Sequence, residues 1–234
     1  MKFTKLLLAS AMIFSLSHAT EGKKLLKPDT TKNKKITAPL WMTQDAFTIS
    51  TIDGKKIHLL STKKGFTFKQ SKEKLALLVV WSTECKSCPT WLEDLDALAK
   101  QFPDKLSIYA LDIGNTEKEK LKRLHKAKKD TPAAIQKIID SNHAKLKKFA
   151  KSHHLSFPLI SALSNQGNLA FAMQTLYKYE FNKPRGKNKK GGGLPFTVVF
   201  GYQGQTAGIT AGISKKKAYA AYIAQLIKHY EDKK

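Results

Sequence analysis

Hydrophobic patterning changes character several times along this chain. Residues 47–52 alternate apolar and polar positions, Asp53-Gly54 follows as a turn signal, and 56–60 returns with the same period of two. This predicts an antiparallel hairpin. Residues 75–81 are continuously apolar, the pattern of a central strand covered on both faces. From Cys88 the spacing becomes helical, with Leu92, Leu95, Leu98 or Ala99 and Phe102 on one face and Pro103 as the stop. Residues 106–113 predict a second central strand. Thr116 with Glu119 reads as a capping box for a polar helix, and Thr131-Pro132 opens another, with Ile135, Ile138 and Ile139 on its apolar face. Helical spacing continues through Leu146 and Phe149. Residues 157–160 predict a short strand and 167–177 a further helix. Residues 196–202 and 206–213 form a hairpin around Gln203-Gly204, and Ser214 caps a final helix that turns Tyr219, Tyr222, Ile223, Leu226, Ile227 and Tyr230 inward. Strands and helices thus alternate, as in an α/β protein.

The first nineteen residues stand apart. Lys2 and Lys5 precede an apolar stretch over 6–16, and Ser17-His18-Ala19 ends in small residues, the pattern of an export signal cleaved after Ala19. A membrane anchor needs about 20 apolar residues, and this stretch is far shorter. Residues 20–43 form a basic linker without periodicity, and 44–234 are expected to be one domain, with an enlarged basic helical insertion at about 115–152 and a basic, glycine-rich loop at 183–193. The charge is +24 for 234 residues; without Lys2 and Lys5 it is +22. Such charge favours polyanions or an anionic membrane surface, but no nucleic-acid motif accompanies it, and nucleic acid is not an expected partner. Residues 117–151 alone hold twelve Lys or Arg against four Asp or Glu. A solvated lysine-rich face accounts for this without a partner. The loop at 183–193 contains Lys187, Lys189 and Lys190 and could steer acidic partners or rest on anionic lipid; a bland flexible insertion is the alternative.

The chain's two cysteines lie three residues apart in Trp81-Ser82-Thr83-Glu84-Cys85-Lys86-Ser87-Cys88-Pro89, directly after the first central strand. Two thiols at this spacing can close on each other and support two-electron exchange. A purely structural disulfide here would close a very short loop and constrain little of the unfolded chain. Haem attachment would need His after Cys88, where Pro89 stands. Metal binding needs a third ligand, for which His153 and His154 are the first candidates; no metal is expected, but a copper carrier remains the reading from a different class.

Four features together resemble a known family: the Asp53-Gly54 hairpin, the strand leading through Trp81 into Cys85-x-x-Cys88, Gly193-Leu194-Pro195-Phe196 before a strand, and Gly212 before the last helix. The chain resembles the exported thioredoxin-like thiol:disulfide oxidoreductases of the TlpA, ResA and CcmG type over about residues 44–231. The resemblance implies a thioredoxin-like fold, a central mixed sheet flanked by helices with the β-hairpin at its N-terminal side. It further implies that Pro195 follows a cis peptide bond opposite the cysteines, and that Leu194, Pro195 and Trp81 contact substrate. A helix starting near Cys85 would turn that sulfur toward the unpaired amides of its first turn, which favours thiolate and makes Cys85 the nucleophile; Cys88, one turn further in, resolves the mixed disulfide. Lys86 adds positive charge beside the pair and Glu84 opposes it, so both are candidates for tuning the cysteines.

Two departures stand out. Glu84 occupies the place where many such sites have Trp, and Val79 the place of thioredoxin's buried Asp. The resemblance implies activity in the periplasm as a reductase in cytochrome c maturation. Its partners are exported proteins with cysteines, apocytochrome c among them, and a membrane electron donor; its only redox group is the Cys85–Cys88 pair, without further cofactor. Oxidation or isomerisation of exported proteins is the alternative. With no dimerisation module visible, a monomer is expected.

Overall fold

The computed structural model describes residues 46–62, 65–71, 74–165 and 194–233. The expected export signal, linker, helix at 167–177 and basic loop at 183–193 lie outside the described residues. Strands β1 (Ala46–Ser50) and β2 (Lys56–Thr62) form the expected hairpin, with Gly54 at φ 80° in its turn. Positive φ is the conformation that Gly tolerates best, so Asp53-Gly54 turns here at little cost. A third strand that the patterning did not reveal, β3 (Gly65–Phe68), pairs antiparallel with β2 and buries Phe66 and Phe68. It is only four residues long, the shortest run in which alternation can be read.

The main sheet has the order β6-β5-β4-β7-β8. Its parallel strands are β4 (Leu75–Trp81), β5 (Leu106–Asp112) and β6 (Leu159–Ser161), while β7 (Phe196–Phe200) runs antiparallel to β4 and β8 (Thr206–Ala211) antiparallel to β7. Four helices are described: α1 (Cys88–Gln101), α2 (Asn115–Lys126), α3 (Pro132–Ser152) and α4 (Lys216–Glu231). The parallel pair joined through α1, followed by the antiparallel β7-β8 hairpin and a closing helix, makes the fold thioredoxin-like.

Every residue of β4 is buried because both of its faces are covered. Leu75, Leu77, Val79 and Trp81 pack against Trp91, Leu92 and Leu95 of α1, Leu146 of α3 and Tyr219 and Ile223 of α4. Ala76, Leu78 and Val80 meet Ile57, Leu59, Phe66 and Phe68 of the N-terminal sheet on the other side. Helices thus cover one face of the main sheet and a second sheet covers the other, with Phe68 stacked on Tyr109 at a centroid distance of 4.3 Å.

Two caps differ from expectation. Helix α2 starts at Asn115 after Gly114, so Thr116 lies inside the helix and no capping box forms. Gly114 adopts φ 55°, and a Cβ there would come within 3.2 Å of Leu163. A tight left-handed corner, not a side-chain cap, therefore launches the helix. Helix α4 has Lys215 as its N-cap residue, and Ser214 is buried without capping it. Thr131 caps α3 as the sequence implies, its hydroxyl accepting from the Ala134 amide at 3.3 Å.

Candidate active site

β4 delivers the chain to the two cysteines. After Trp81, the Cys85 amide donates to the Ser82 carbonyl at 3.0 Å and the Cys88 amide to the Cys85 carbonyl at 3.1 Å, so two consecutive turns precede α1. The helix therefore begins at Cys88, three residues later than a first-turn position for Cys85 requires. Cys85 sits in the turn ahead of the helix. The polar group beside its Sγ is the Ser87 hydroxyl, at 3.6 Å. Pro89 falls within the first helical turn, where a missing N–H costs little.

Cys85 and Cys88 form a disulfide, with Cα atoms 5.4 Å apart. The two sulfurs are not equivalent: Cys85 is half-buried, whereas Cys88 is 0 % exposed in the core between β4 and α1. A partner molecule can reach Cys85 only.

The register of the sheet brings the second half of the site to the same end. Val80 pairs with Phe196, so Pro195 stands one position further along, beside Trp81. The Leu194–Pro195 peptide is cis. Pro195 is buried, and its carbonyl accepts from the Gly212 amide at 2.6 Å. Leu194 is half-buried and packs, like Cys85, against the core cluster that contains Cys88. The indole of Trp91 on α1 donates to the Thr197 hydroxyl on β7 at 3.2 Å, a buried tie between the cysteine helix and the strand that follows Pro195.

Trp81 does not take the substrate-facing place the resemblance gave it. It is 0 % exposed and packs at 4.6 Å between ring centroids on Phe149, which in turn lies 4.3 Å from the His153 ring. As the last residue of β4 it alternates with Val80 and so points into the helical layer, beneath the cysteines. Its role is support.

Glu84 and Lys86 are both exposed. The Glu84 carboxylate does not stand free beside Cys85: it accepts from the Thr116 amide at 3.0 Å and from the Thr116 hydroxyl, both in the first turn of α2. A carboxylate at a helix N-terminus satisfies unpaired amides and complements the helix dipole. Glu84 thereby couples the active-site turn to α2. Thr116→Ala is expected to raise amide hydrogen exchange in the first turn of α2 by roughly fivefold, the equivalent of one ordinary hydrogen bond. Unchanged exchange there would remove the coupling.

Sequence reasoning missed a buried polar chain at the same end of the sheet. Asp112, which pairs with Trp81, is wholly buried. Asn142 of α3 donates to its Oδ2 at 3.1 Å, and the Ser161 hydroxyl donates to Asn142 Oδ1 at 2.6 Å. Asp112 Oδ1 has no partner among the described residues. Burial pushes the Asp112 carboxyl above its ordinary value, opposed by the bonds from Asn142 and the Gly114 amide. A visible clue was Asp112 as the one charged residue in the stretch 106–113.

A carboxyl raised on folding contributes stability that is complete below its unfolded value and is lost as pH rises through its folded value. Asp112→Asn keeps an oxygen for Asn142. Its melting temperature is therefore expected to rise relative to the parent as pH increases above the ordinary carboxylate range, read from paired thermal melts. A difference independent of pH would mean that Asp112 is not the titrating group.

The candidate metal ligands have other partners or none among the described residues. His153 Nδ1 contacts Glu93 Oε1 at 2.7 Å at the end of α3, and His154, exposed, follows at φ 51°. Among the described residues, no three His, Cys, Asp or Glu side chains come together as a metal-holding group.

No protein-family model matches the chain, and no curated protein matches it. Solved structures do. StoA from Bacillus subtilis is 15% identical with a TM-score of 0.45, over 76% of this chain and 95% of that one. A secreted Mycobacterium tuberculosis disulfide oxidoreductase homologous to E. coli DsbE is 12% identical with a TM-score of 0.47, over 77% and 96%. A putative protein disulfide isomerase from Bacteroides thetaiotaomicron is 15% identical with a TM-score of 0.48, over 88% and 93%. At such identities and scores, the assignment of a thioredoxin-like fold rests on this chain's own strand order, register and helix placement.

Proposed function

We propose that this protein is an exported thiol:disulfide oxidoreductase, working in the periplasm as a reductase that supports cytochrome c maturation. The observation that carries the redox reading is the asymmetry of the Cys85–Cys88 disulfide, one sulfur reachable in a turn and the other enclosed at the start of α1.

In the reduced protein the Cys85 thiolate attacks one sulfur of a substrate disulfide; an S–S bond to the substrate forms, and the substrate's other sulfur leaves as a thiolate and takes up a proton. Cys88, deprotonated, then attacks Cys85. The internal disulfide forms, the mixed disulfide breaks, and the second substrate sulfur leaves as a thiol. Two electrons have passed to the substrate. A dithiol donor, by resemblance a membrane protein, returns them by the reverse exchange. The pair is its own redox group, and the cycle calls for no metal or organic cofactor.

Leu194 and Pro195, which the sheet register brings to the end of β4 that leads to Cys85, are the proposed substrate contacts. Export rests on the charged and apolar pattern of residues 1–19. Among the described residues no helix is long and apolar enough to cross a membrane. The proposed substrates are exported proteins with cysteines, with apocytochrome c the first choice, met by a monomer.

Trapping tests the reading directly. Cys88→Ser leaves the mixed disulfide on Cys85 unresolved, so the proteins attached to it in cells can be identified. Apocytochromes are the expected catch. Assorted exported proteins with several cysteines would make the protein an isomerase or oxidase, and stoichiometric Cu(I) binding by a protein that turns over no disulfide would make it a copper carrier.

A further inference from the structure

Charge is not spread evenly over this molecule. Along α1 the acids have partners: Asp94 meets Lys216 at 2.8 Å, Asp96 meets Lys100 at 2.5 Å and Glu93 meets the His153 ring at 2.7 Å. On α2 the balance fails. Glu117 is buried near Lys145, and Asp130 is taken by His125. The remaining carboxylate, Glu119, faces Lys122, Arg123 and Lys126 together, and these hold its carboxyl below the ordinary value, Lys122 first. Lys120, Lys128 and Lys129 are exposed and make no ion pair with any described residue. Like charges one turn apart, such as Lys118 with Lys122, weigh against the helix itself.

This uncompensated face lies at the catalytic end of the molecule. α2 follows the C-terminal end of β5, as the cysteine turn follows that of β4, and Glu84, the residue before Cys85, is bonded into the first turn of α2. Lys120 is one turn along the helix from that bond, and the helix ends roughly 18 Å along its axis, with Lys128 and Lys129 in the turn beyond it.

We infer that the exposed face of α2 and the α2–α3 turn dock an acidic segment of a protein partner, which brings that partner's cysteines to Cys85. The inference builds on the proposed redox function for its consequence, not for the binding itself. An acidic segment relieves the repulsion stored on α2 and steers encounter. A membrane surface fits less well. Interfacial helices bury an apolar face, whereas the two leucines of α2, Leu121 and Leu124, are half-buried and the exposed large hydrophobic residues among those described are Leu60 and Ile213.

The test uses a labelled, cysteine-free peptide of consecutive Glu and Asp residues, its binding to the oxidised full-length protein read by fluorescence anisotropy. Two triple variants carry the same charge change. One is Lys120→Glu, Lys128→Glu and Lys129→Glu on the proposed face. The other is Lys69→Glu, Lys228→Glu and Lys233→Glu; the bond between Lys105, just before β5, and Glu231 places the end of α4 at the opposite pole. The first is expected to weaken binding by about tenfold or more at low salt and the second by less than about threefold, because screening confines the effect to nearby charges. Equal weakening, or no binding by the parent protein, overturns the proposal. So does loss of binding to phosphatidylglycerol vesicles in the first variant with peptide binding intact, which would make the face a membrane contact. A cystine peptide with neutral flanks separates the two readings: if it is not reduced, the redox function fails while the binding result stands.

Discussion

Cys85→Ser is expected to bring insulin disulfide reduction down to the uncatalysed exchange with dithiothreitol, a fall of roughly three orders of magnitude or more, as when a catalytic nucleophile is removed. The reason is access. Cys88 is 0 % exposed in the core at the start of α1, so it cannot substitute as the attacking thiol. A serine hydroxyl at position 85 stays protonated at neutral pH and does not displace sulfur. Cys88→Ser behaves differently: the first exchange proceeds, one substrate thiol is released, and turnover stops at the mixed disulfide. Mass spectrometry of the non-reduced protein distinguishes the two variants. If Cys85→Ser retained turnover with Cys88 as its only sulfur, the assignment of attacker and resolver would be reversed.

Trp81→Ala carries the largest expected cost in stability, about 3–5 kcal/mol, because the removed indole leaves a void that β4, α1 and α3 fill only in part. Urea denaturation measures it. Trp81→Phe is expected to cost much less than the alanine change: it preserves most of the contact with Phe149 and removes an indole N–H that has no hydrogen-bond partner among the described residues. In folded Trp81→Phe protein the Michaelis constant for insulin should match the parent's, since the side chain touches no solvent. A markedly raised Michaelis constant would restore Trp81 to the substrate surface.

Much of the architecture was legible in the chain because its strongest signals are local. Continuous apolarity over residues 75–81 marks a strand covered twice, and the structure covers it with helices on one side and a sheet on the other. The Asp53-Gly54 turn and the Thr131-Pro132 start of α3 were equally readable, since each is decided by the backbone preferences of a few neighbouring residues. The four-residue strand β3 offers only the shortest run in which a period can be read. The capping box at Thr116 failed for a different reason. Its pattern is local, but Gly114 turns the chain into the helix before Thr116, which is therefore helical itself, and its hydroxyl donates instead to Glu84, thirty-two positions away.

The amino-acid sequence by itself determined the chemistry: two cysteines at one-turn spacing, after a buried strand, in a chain with a later Leu194-Pro195 before another strand. Tertiary structure alone decided how that chemistry is housed. It placed Cys85 ahead of the helix and Cys88 inside it, moved Trp81 from the substrate surface to the support beneath, tied Glu84 to α2, and joined Asp112, Asn142 and Ser161 in one buried chain. The physical reason is the range of the interactions. Periodicity and turn preferences act over a few residues and are written in order along the chain, whereas burial and hydrogen bonding between distant segments exist only once the sheet register and the stacking of helices have brought those segments together.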